Sequence, residues 1–424
     1  MLPLNTPYPD DPATSELSED DAPAHARLKP RGSNQVALRV FNERVVLQAL
    51  RTHGSRPKAE LARMTGLTAQ TIGLITARLD EDGLLRREAP VRGKIGQPSV
   101  PLSLNPDGAF AIGIKIGRRS ADWLLVDFCG QVRERITLDY AFPDAAQLLP
   151  AIQHNLQQLL DGLGSLRSRV VGVGVAAPLQ LGGWHRMLAL TDAQSHTWND
   201  MDLAAEVQRL TDLPVTFAKD TMAACVAELL QGRGRDLSSF LYLFMDTFVG
   251  GGLVINSHLH RGNQGNAGAV ASLPLSVAAG GPAGGEPPQQ LIRQASLWEL
   301  EQRLRTHGLD PTAAYDDRAL QAPWRQHTEE WMHSAALALA HCVVSATAFM
   351  DMHAVVLDGA IAPDLLQGLC HQTREALGAY NWEGLSQPPR LELGTIGSDA
   401  RALGGALLPL HACFAPDHDL FLKA

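Results

Sequence analysis

Residues 56–85 read R-P-K-A-E-L-A-R-M-T-G-L-T-A-Q-T-I-G-L-I-T-A-R-L-D-E-D-G-L-L, a pattern that fits two short helices joined by a tight turn and closed by a stop. Leu61 and Met64 put apolar groups on one side of the first helix. Gly66 supplies the turn, and Thr68 is placed to cap the second helix. Ile72, Ile75 and Leu79 recur at helical spacing, so that face turns inward. The opposite face carries Gln70, Thr71, Leu74 and Arg78. In a helix-turn-helix the second helix lies in the major groove of double-stranded DNA. Gly73 costs roughly 1 kcal/mol relative to Ala inside a helix, but it permits close approach to a nucleic-acid backbone.

Any hairpin of two helices with a glycine turn meets that description, and two neighbouring features argue for more. Residues 84–104 form two strand-like runs around a loop rich in Gly, Pro, Arg and Lys, which reads as a β-wing. Arg92, Lys94 and Gln97 of that loop join Thr68, Gln70, Thr71, Leu74 and Arg78 as the expected DNA contacts. Charge agrees with this reading. Residues 31–104 hold 12 Lys+Arg against 6 Asp+Glu, whereas residues 105–424 hold 22 against 33. A basic module on an acidic body is the electrostatic footprint of phosphate binding confined to one end.

A chain of 424 residues exceeds one ordinary core. Residues 1–34 have the composition of a disordered acidic lead-in without a secretion signal. Residues 35–104 form the winged helix-turn-helix, with a turn cluster at Asn105-Pro106-Asp107-Gly108 as its boundary. No apolar run is read as approaching the roughly 20 residues that span a bilayer, so a cytoplasmic location is expected. Five scattered cysteines, none in a C-x-x-C pair, predict buried free thiols rather than disulfides or a metal knuckle.

Beyond residue 105 the texture changes to alternating strands and helices, the signature of α/β layers. Strand runs A-F-A-I-G-I-K-I and A-D-W-L-L-V-D-F meet at Gly117-Arg118-Arg119-Ser120. They are followed by a helix near 145–162, the strand V-V-G-V-G-V-A-A, a helix near 202–211, the strand P-V-T-F-A-K-D and a helix through 223–231. The stretch F-L-Y-L-F-M-D-T-F-V-G-G-G-L-V-I-N opens a second such half, which ends in a late strand A-V-V-L-D-G-A. Two α/β lobes with a cleft between them are predicted, followed by a tail at 413–424.

The stretches A-I-G-I-K-I-G-R-R, G-V-G-V-A-A-P, H-T-W-N-D-M-D-L-A-A, L-P-V-T-F-A-K-D, V-G-G-G-L-V-I-N, G-N-A-G-A-V-A and L-G-T-I-G-S-D-A-R-A-L-G-G-A, in this order behind a winged helix-turn-helix, resemble the ROK family. That family groups bacterial repressors with sugar kinases of the actin-like ATPase (ribonuclease H-like) fold. The resemblance spans nearly all of residues 35–412. It implies a transcription regulator of carbohydrate genes, with residues 105–412 as effector and dimerisation domain.

Departures from the family's kinase pattern imply loss of catalysis. The acidic residue that would direct magnesium is Lys115, and the Gly-Gly-Thr loop for phosphates is Gly117-Arg118-Arg119-Ser120. That substitution reverses the local charge. Arg118 and Arg119, on a turn, are expected to be solvated. The family's Asn-Asp pair, whose Asp takes the sugar hydroxyl proton, is Lys219-Asp220; Asp220 fits either a base or a helix cap. The Gly-Glu-x-Gly-His motif falls on Gly268-Ala269-Val270-Ala271-Ser272, so both the carboxylate and the imidazole are gone. The zinc-binding cysteine cluster is replaced by residues 278–285, which hold no thiolate, and the glutamate expected after it falls near Ile292 or Arg293.

Histidines and tryptophans add further candidates. His258 and His260 alternate on a hairpin but lack a third ligand. Trp184 and Trp198 suit covering a core better than stacking on a sugar, yet Trp184 sits in a loop that could edge the cleft. Lys219, Asp220, Ser272 and Trp184 form the expected effector set. The expectation is a non-enzymatic regulator without cofactor or metal, dimeric or tetrameric, that binds an operator; a sugar or sugar-derivative effector is the candidate ligand, its existence left open. Its rivals are a sugar kinase that carries a DNA module and an interaction protein whose sensor lost its ligand and responds to a protein partner.

Overall fold

The structure, a computed structural model, describes residues 35–90, 99–179, 197–198, 200–276, 288–385 and 387–416. Three helices come first: α1 (Gln35–His53), α2 (Lys58–Thr65) and α3 (Ala69–Glu81). Gly66 ends α2 in the left-handed conformation at φ 70°, which glycine adopts at no steric cost. Thr68 then caps α3, its side chain accepting the Thr71 N–H at 3.1 Å. Leu61, Ile72, Ile75 and Leu79 are buried with Val46, Leu47 and Leu50 of α1. Met64, expected inside, is exposed instead: the eight-residue α2 is covered only along its Leu61 line. Strands β1 (Leu85–Arg87) and β2 (Leu102–Leu104) pair antiparallel. The loop with Arg92, Lys94 and Gln97 lies outside the described residues.

Two five-stranded sheets follow, built on one plan. The first contains β3 (Phe110–Ile116), β4 (Ser120–Asp127), β5 (Val132–Asp139), β6 (Val170–Ala177) and β7 (Val215–Lys219), in the order β5-β4-β3-β6-β7. The second contains β8 (Phe240–Met245), β9 (Gly250–Ile255), β10 (His258–His260), β11 (Ala354–Gly359) and β12 (Arg390–Leu393), in the order β10-β9-β8-β11-β12. In each, a three-stranded antiparallel meander joins two parallel strands on its other side. All seven residues of β3 are buried, as a central strand covered on both faces requires. Strand β5, absent from the sequence reading, is mostly exposed. It forms an edge whose alternation V-R-E-R-I-T-L-D lacks a continuous apolar run.

Helices α4 (Ala145–Gly162) and α5 (Leu203–Arg209) cover the outer face of the first sheet, where Trp198 is buried and donates to Pro143 O at 2.7 Å. Around the second sheet run α7 (Leu291–Ala295), α8 (Leu297–Thr306), α9 (Arg325–Met350) and α10 (Pro363–Leu377). Helix α9 is long and apolar enough to cross a bilayer, with mean hydropathy 1.4, contrary to the expectation that no such run exists. Half of that apolar window is buried, where α9 packs in the core of the second sheet.

Between the sheets lie α6 (Asp220–Gln231) and α11 (Ala400–Phe414). Helix α11 is buried continuously from Ala400 to Leu410. Its close seating depends on missing side chains: a Cβ on Gly174 would overlap Gly405 O, and one on Gly404 would overlap Ala223 O. One hydrophobic cluster runs from Val46 and Leu61 of the helical module through Phe128 to Ala223, Phe240 and Ala406. Phe414 meets Phe128 edge-on at 4.7 Å, and Arg51 of α1 lies over the Phe128 ring at 5.4 Å. Arg235 donates to Thr52 O at 2.7 Å, and Arg169 reaches Gly83 O, Asp107 O and Gly108 O at 3.3–3.5 Å. Of the cysteines, Cys225, Cys342 and Cys370 are buried as expected, whereas Cys129 is half-buried and Cys413 exposed, each near the module's seat or the chain end.

Candidate functional site

The interlobe cleft, with a volume of 620 Å³, is lined by charged groups from distant parts of the chain: Arg118, Lys219, Asp220, Asp246 and Arg401. A larger concavity of 940 Å³ on the outer face, between α4 and residues 210–213, holds no such convergence. Each cleft residue sits at an element end. Arg118 is on the β3–β4 turn, Lys219 ends β7, Asp220 begins α6, Asp246 follows β8, and Arg401 lies in the first turn of α11. Ends of strands facing a crevice are where α/β sheets present ligand-binding groups.

Arg401 is the centre of the arrangement. It is 8% exposed, is ion-paired with Asp246, and lies 4.0 Å from Asp220 Oδ2. Burial opposes its charge, but Asp246 and Asp220 more than offset this and raise its pKa. Its Nε is buried without a hydrogen-bond partner among the described residues. The other oxygen of Asp220, Oδ1, accepts the Thr221 N–H at 2.8 Å. Asp220 is the first residue of α6 and not its cap, a position held by Lys219 without a side-chain hydrogen bond, and its carboxylate lines the cleft.

Lys219 Nζ donates to Asn266 Oδ1 and Ala267 O, both at 3.3 Å. Burial lowers its pKa, against the pull of Asp220. Ser272 is exposed and lines the same cleft as Ala269. Trp184 lies outside the described residues, as do residues 278–285. His258 and His260 are exposed. Among the described residues no three His, Cys, Asp or Glu side chains gather as a metal site would require.

Of the two arginines expected to be solvated, Arg119 is exposed, though ion-paired, and Arg118 is not. Arg118 is half-buried, with its guanidinium 4.7 Å from the centre of the Phe248 ring. Burial brings its pKa down to about 10, with Asp220 and Asp246 acting in the opposite direction. Arg119 crosses the cleft to ion-pair with Glu301 of α8 and lies 4.7 Å over Tyr315. Glu301 also accepts from Arg305 at 2.8 Å and from the Tyr315 hydroxyl at 2.5 Å. Lys115 is equally engaged: its Nζ donates to Ser120 Oγ at 2.7 Å, Ser120 O at 3.2 Å and Asp122 Oδ2 at 3.0 Å. The lysine holds its own turn shut.

Sequence reasoning missed Arg401, Asp246 and Glu301. Asp246 and Arg401 are 155 positions apart, and the only local signal was a charged residue inside the apolar A-R-A-L-G-G-A run.

At the other end of the molecule Gln70 and Leu74 are exposed on α3, with Leu74 69% exposed, and Thr71 is half-buried. Thr71 shares a 2.8 Å hydroxyl contact with Thr68. Arg78 donates to Glu43 Oε1 of α1 at 2.8 Å, so part of its charge is already used.

Comparison with known proteins places this geometry. The family model described as ROK family matches residues 111–411. The xylose repressor of Bacillus subtilis is 22% identical over 247 residues, 57% of this chain and 62% of the repressor; the chain thus aligns with less than two thirds of that relative's length. A crystal structure of a ROK family transcriptional regulator, a homolog of the E. coli MLC protein, superposes with a TM-score of 0.66 at 18% identity, covering 89% of this chain and 97% of that one. The ROK hexokinase of Thermus thermophilus gives a TM-score of 0.51 at 22% identity over 70% of this chain and 97% of its own. The fold of the two sheets is that of actin-like sugar kinases.

Proposed function

Because this chain belongs to the ROK family, we propose that it is a sequence-specific, DNA-binding transcription regulator of carbohydrate-related genes. In this reading residues 35–104 are a winged helix-turn-helix and residues 105–412 a kinase-like sensor that does no chemistry. It acts in the bacterial cytoplasm as a homodimer or tetramer on an operator.

The observation that carries the reading is the division of α3 into two faces. Ile72, Ile75 and Leu79 are buried, while Gln70 and the 69% exposed Leu74 stand outward. A lone surface leucine is ordinary, but one on the second helix of a helix-turn-helix is placed for thymine methyls in a major groove. The xylose repressor and the MLC homolog support the regulator class. Lys115, bonded to Asp122 where the kinases of this family carry a metal-directing acid, supports a sensor without catalysis. The sensor works by population shift: a ligand that favours one closure of the lobes changes how the modules of an oligomer are presented.

The test is selection from a library of random duplexes by the full chain. Enrichment of one shared motif is the expected result. A protein that retains duplexes without enrichment, or retains none, would sink the proposal. One observation favours the kinase alternative: Asp220 keeps a carboxylate at the cleft.

A further inference from the structure

The cleft differs from a neutral sugar site in the chemistry of its lining. Three cations, Arg118, Lys219 and Arg401, face it with two carboxylates, Asp220 and Asp246. Asp246 is ion-paired with Arg401 and Asp220 lies 4.0 Å from it, so three cations against two carboxylates leave the lining with positive charge in excess. At 620 Å³ the space is within the roughly 300–1,000 Å³ that holds small ligands. The positions that would grip hydroxyls with a carboxylate and an imidazole are Ala269 and Ser272, so the lining has lost groups for a neutral polyol while holding groups suited to an acid.

A second observation is independent of net charge. Arg401, more than nine-tenths buried, has an Nε that donates to nothing among the described residues. A buried donor left unsatisfied costs about 1–3 kcal/mol, so an acceptor brought to it by a ligand would be favoured. Guanidinium groups suit planar oxyanions because their fork of donors matches two oxygens at once. Arg118 lies against Phe248, which fixes one face of its guanidinium and limits the rotamer freedom lost on binding.

We propose that the ligand of this cleft is an anionic carbohydrate derivative, a sugar carboxylate or a sugar phosphate, whose oxyanion is received by Arg118 and Lys219 with Arg401 behind them. The proposal rests on the reading of the cleft as a sensor and names its ligand class.

Calorimetry on the full chain without DNA tests it, using glucose and xylose as neutral probes, glucuronate and gluconate as carboxylates, glucose 6-phosphate as the phosphate, and inorganic phosphate alone. At least one acid should bind about tenfold or more tightly than its neutral parent, with affinity falling as salt rises. Arg118→Gln and Lys219→Gln should each remove most of that preference. Carboxylate and phosphate arms show which oxyanion is used. Equal affinity for glucose and glucuronate, inorganic phosphate binding as tightly as any sugar acid, or silence across the panel would each overturn the proposal. The neutral-versus-acid comparison uses wild-type protein, so a poorly folding variant does not blunt it. Duplex selection needs no ligand, so failure here is separable from failure of the regulator reading.

Discussion

Lys115 Nζ and Asp122 Oδ2 lie 3.0 Å apart on residues that face each other across the β3–β4 pair. The hairpin thus carries an internal ammonium, and the charge that a metal would bring is supplied by the chain itself. Burial alone would raise the Asp122 pKa, but Lys115 together with the hydrogen bonds from Thr137 and Lys115 brings it below the ordinary carboxylate range. Lys115 is lowered by its own burial, with Arg401 adding to the effect.

Replacing Lys115 by Met should destabilise the protein by about 3 kcal/mol, the lower part of the range for breaking a buried pair. Asp122 keeps its 2.8 Å bond from Thr137, which limits the loss. A depressed folded pKa means that the Asp122 contribution is full above the unfolded value of about 3.9 and is lost as pH falls through the folded value. The stability gap between wild type and Asp122→Asn should therefore close on acidification. Urea titrations from neutral pH to pH 3 measure it, and a gap independent of pH would show that the pair is not ionised.

Gln70→Ala should weaken binding to a selected operator by about 1–3 kcal/mol, the scale of one base-edge contact, while leaving random duplex nearly untouched. Arg78→Ala should lower both modestly, because Arg78 is already shared with Glu43. Fluorescence anisotropy at two salt concentrations separates these cases, and equal loss on both duplexes for Gln70→Ala would remove Gln70 from the reading set.

Glycines at two helix positions predict opposite outcomes. Nothing lies within 4 Å of a Cβ built on Gly73, so Gly73→Ala should stabilise the fold by up to about 1 kcal/mol. The added methyl should nonetheless reduce DNA affinity, since it stands on the side expected to approach the duplex. Gly404→Ala instead drives a Cβ into Ala223 O and should cost about 3 kcal/mol or abolish folding. Thermal denaturation and anisotropy on the same samples check both.

No ATP-dependent phosphorylation of glucose, N-acetylglucosamine, mannose, fructose or xylose is expected. A general base such as Asp220 contributes typically 10²–10⁴-fold, whereas phosphoryl transfer depends chiefly on positioning and charge stabilisation. The measurement is coupled ADP release with Asp220→Ala as control. Turnover that vanishes in the Asp220→Ala protein would promote the kinase reading.

Local physics made much of the fold legible. The α3 cap at Thr68, the Gly66 turn and the buried line Ile72, Ile75 and Leu79 are consequences of short-range spacing, as are the continuous apolar runs of β3, β6 and β8. Strand β5 escaped because an exposed edge has no apolar run to read. The cleft was legible only from the side of Lys219 and Asp220, where the strand-end position is encoded nearby. Arg401, Asp246 and Glu301 were not, because their meaning arises from pairs that the topology joins across 155 and 182 positions. Arg118 was misjudged for the same reason, since the second lobe sets Phe248 against it; Arg119 stays exposed as read, and only its pairing with Glu301 was hidden.

Helix α11 begins at the cleft with Arg401 and ends at Phe414 against the module's seat. Its fifteen residues span about 22 Å, and the glycine contacts at Gly174 and Gly404 deny it freedom to slide. The module shares that helix's hydrophobic cluster instead of hanging from a tether. In the regulator proposed above, closure of the lobes would therefore reach α3 as a pointer fixed to its dial: the readout would be an angle, which lengthening a linker could not imitate.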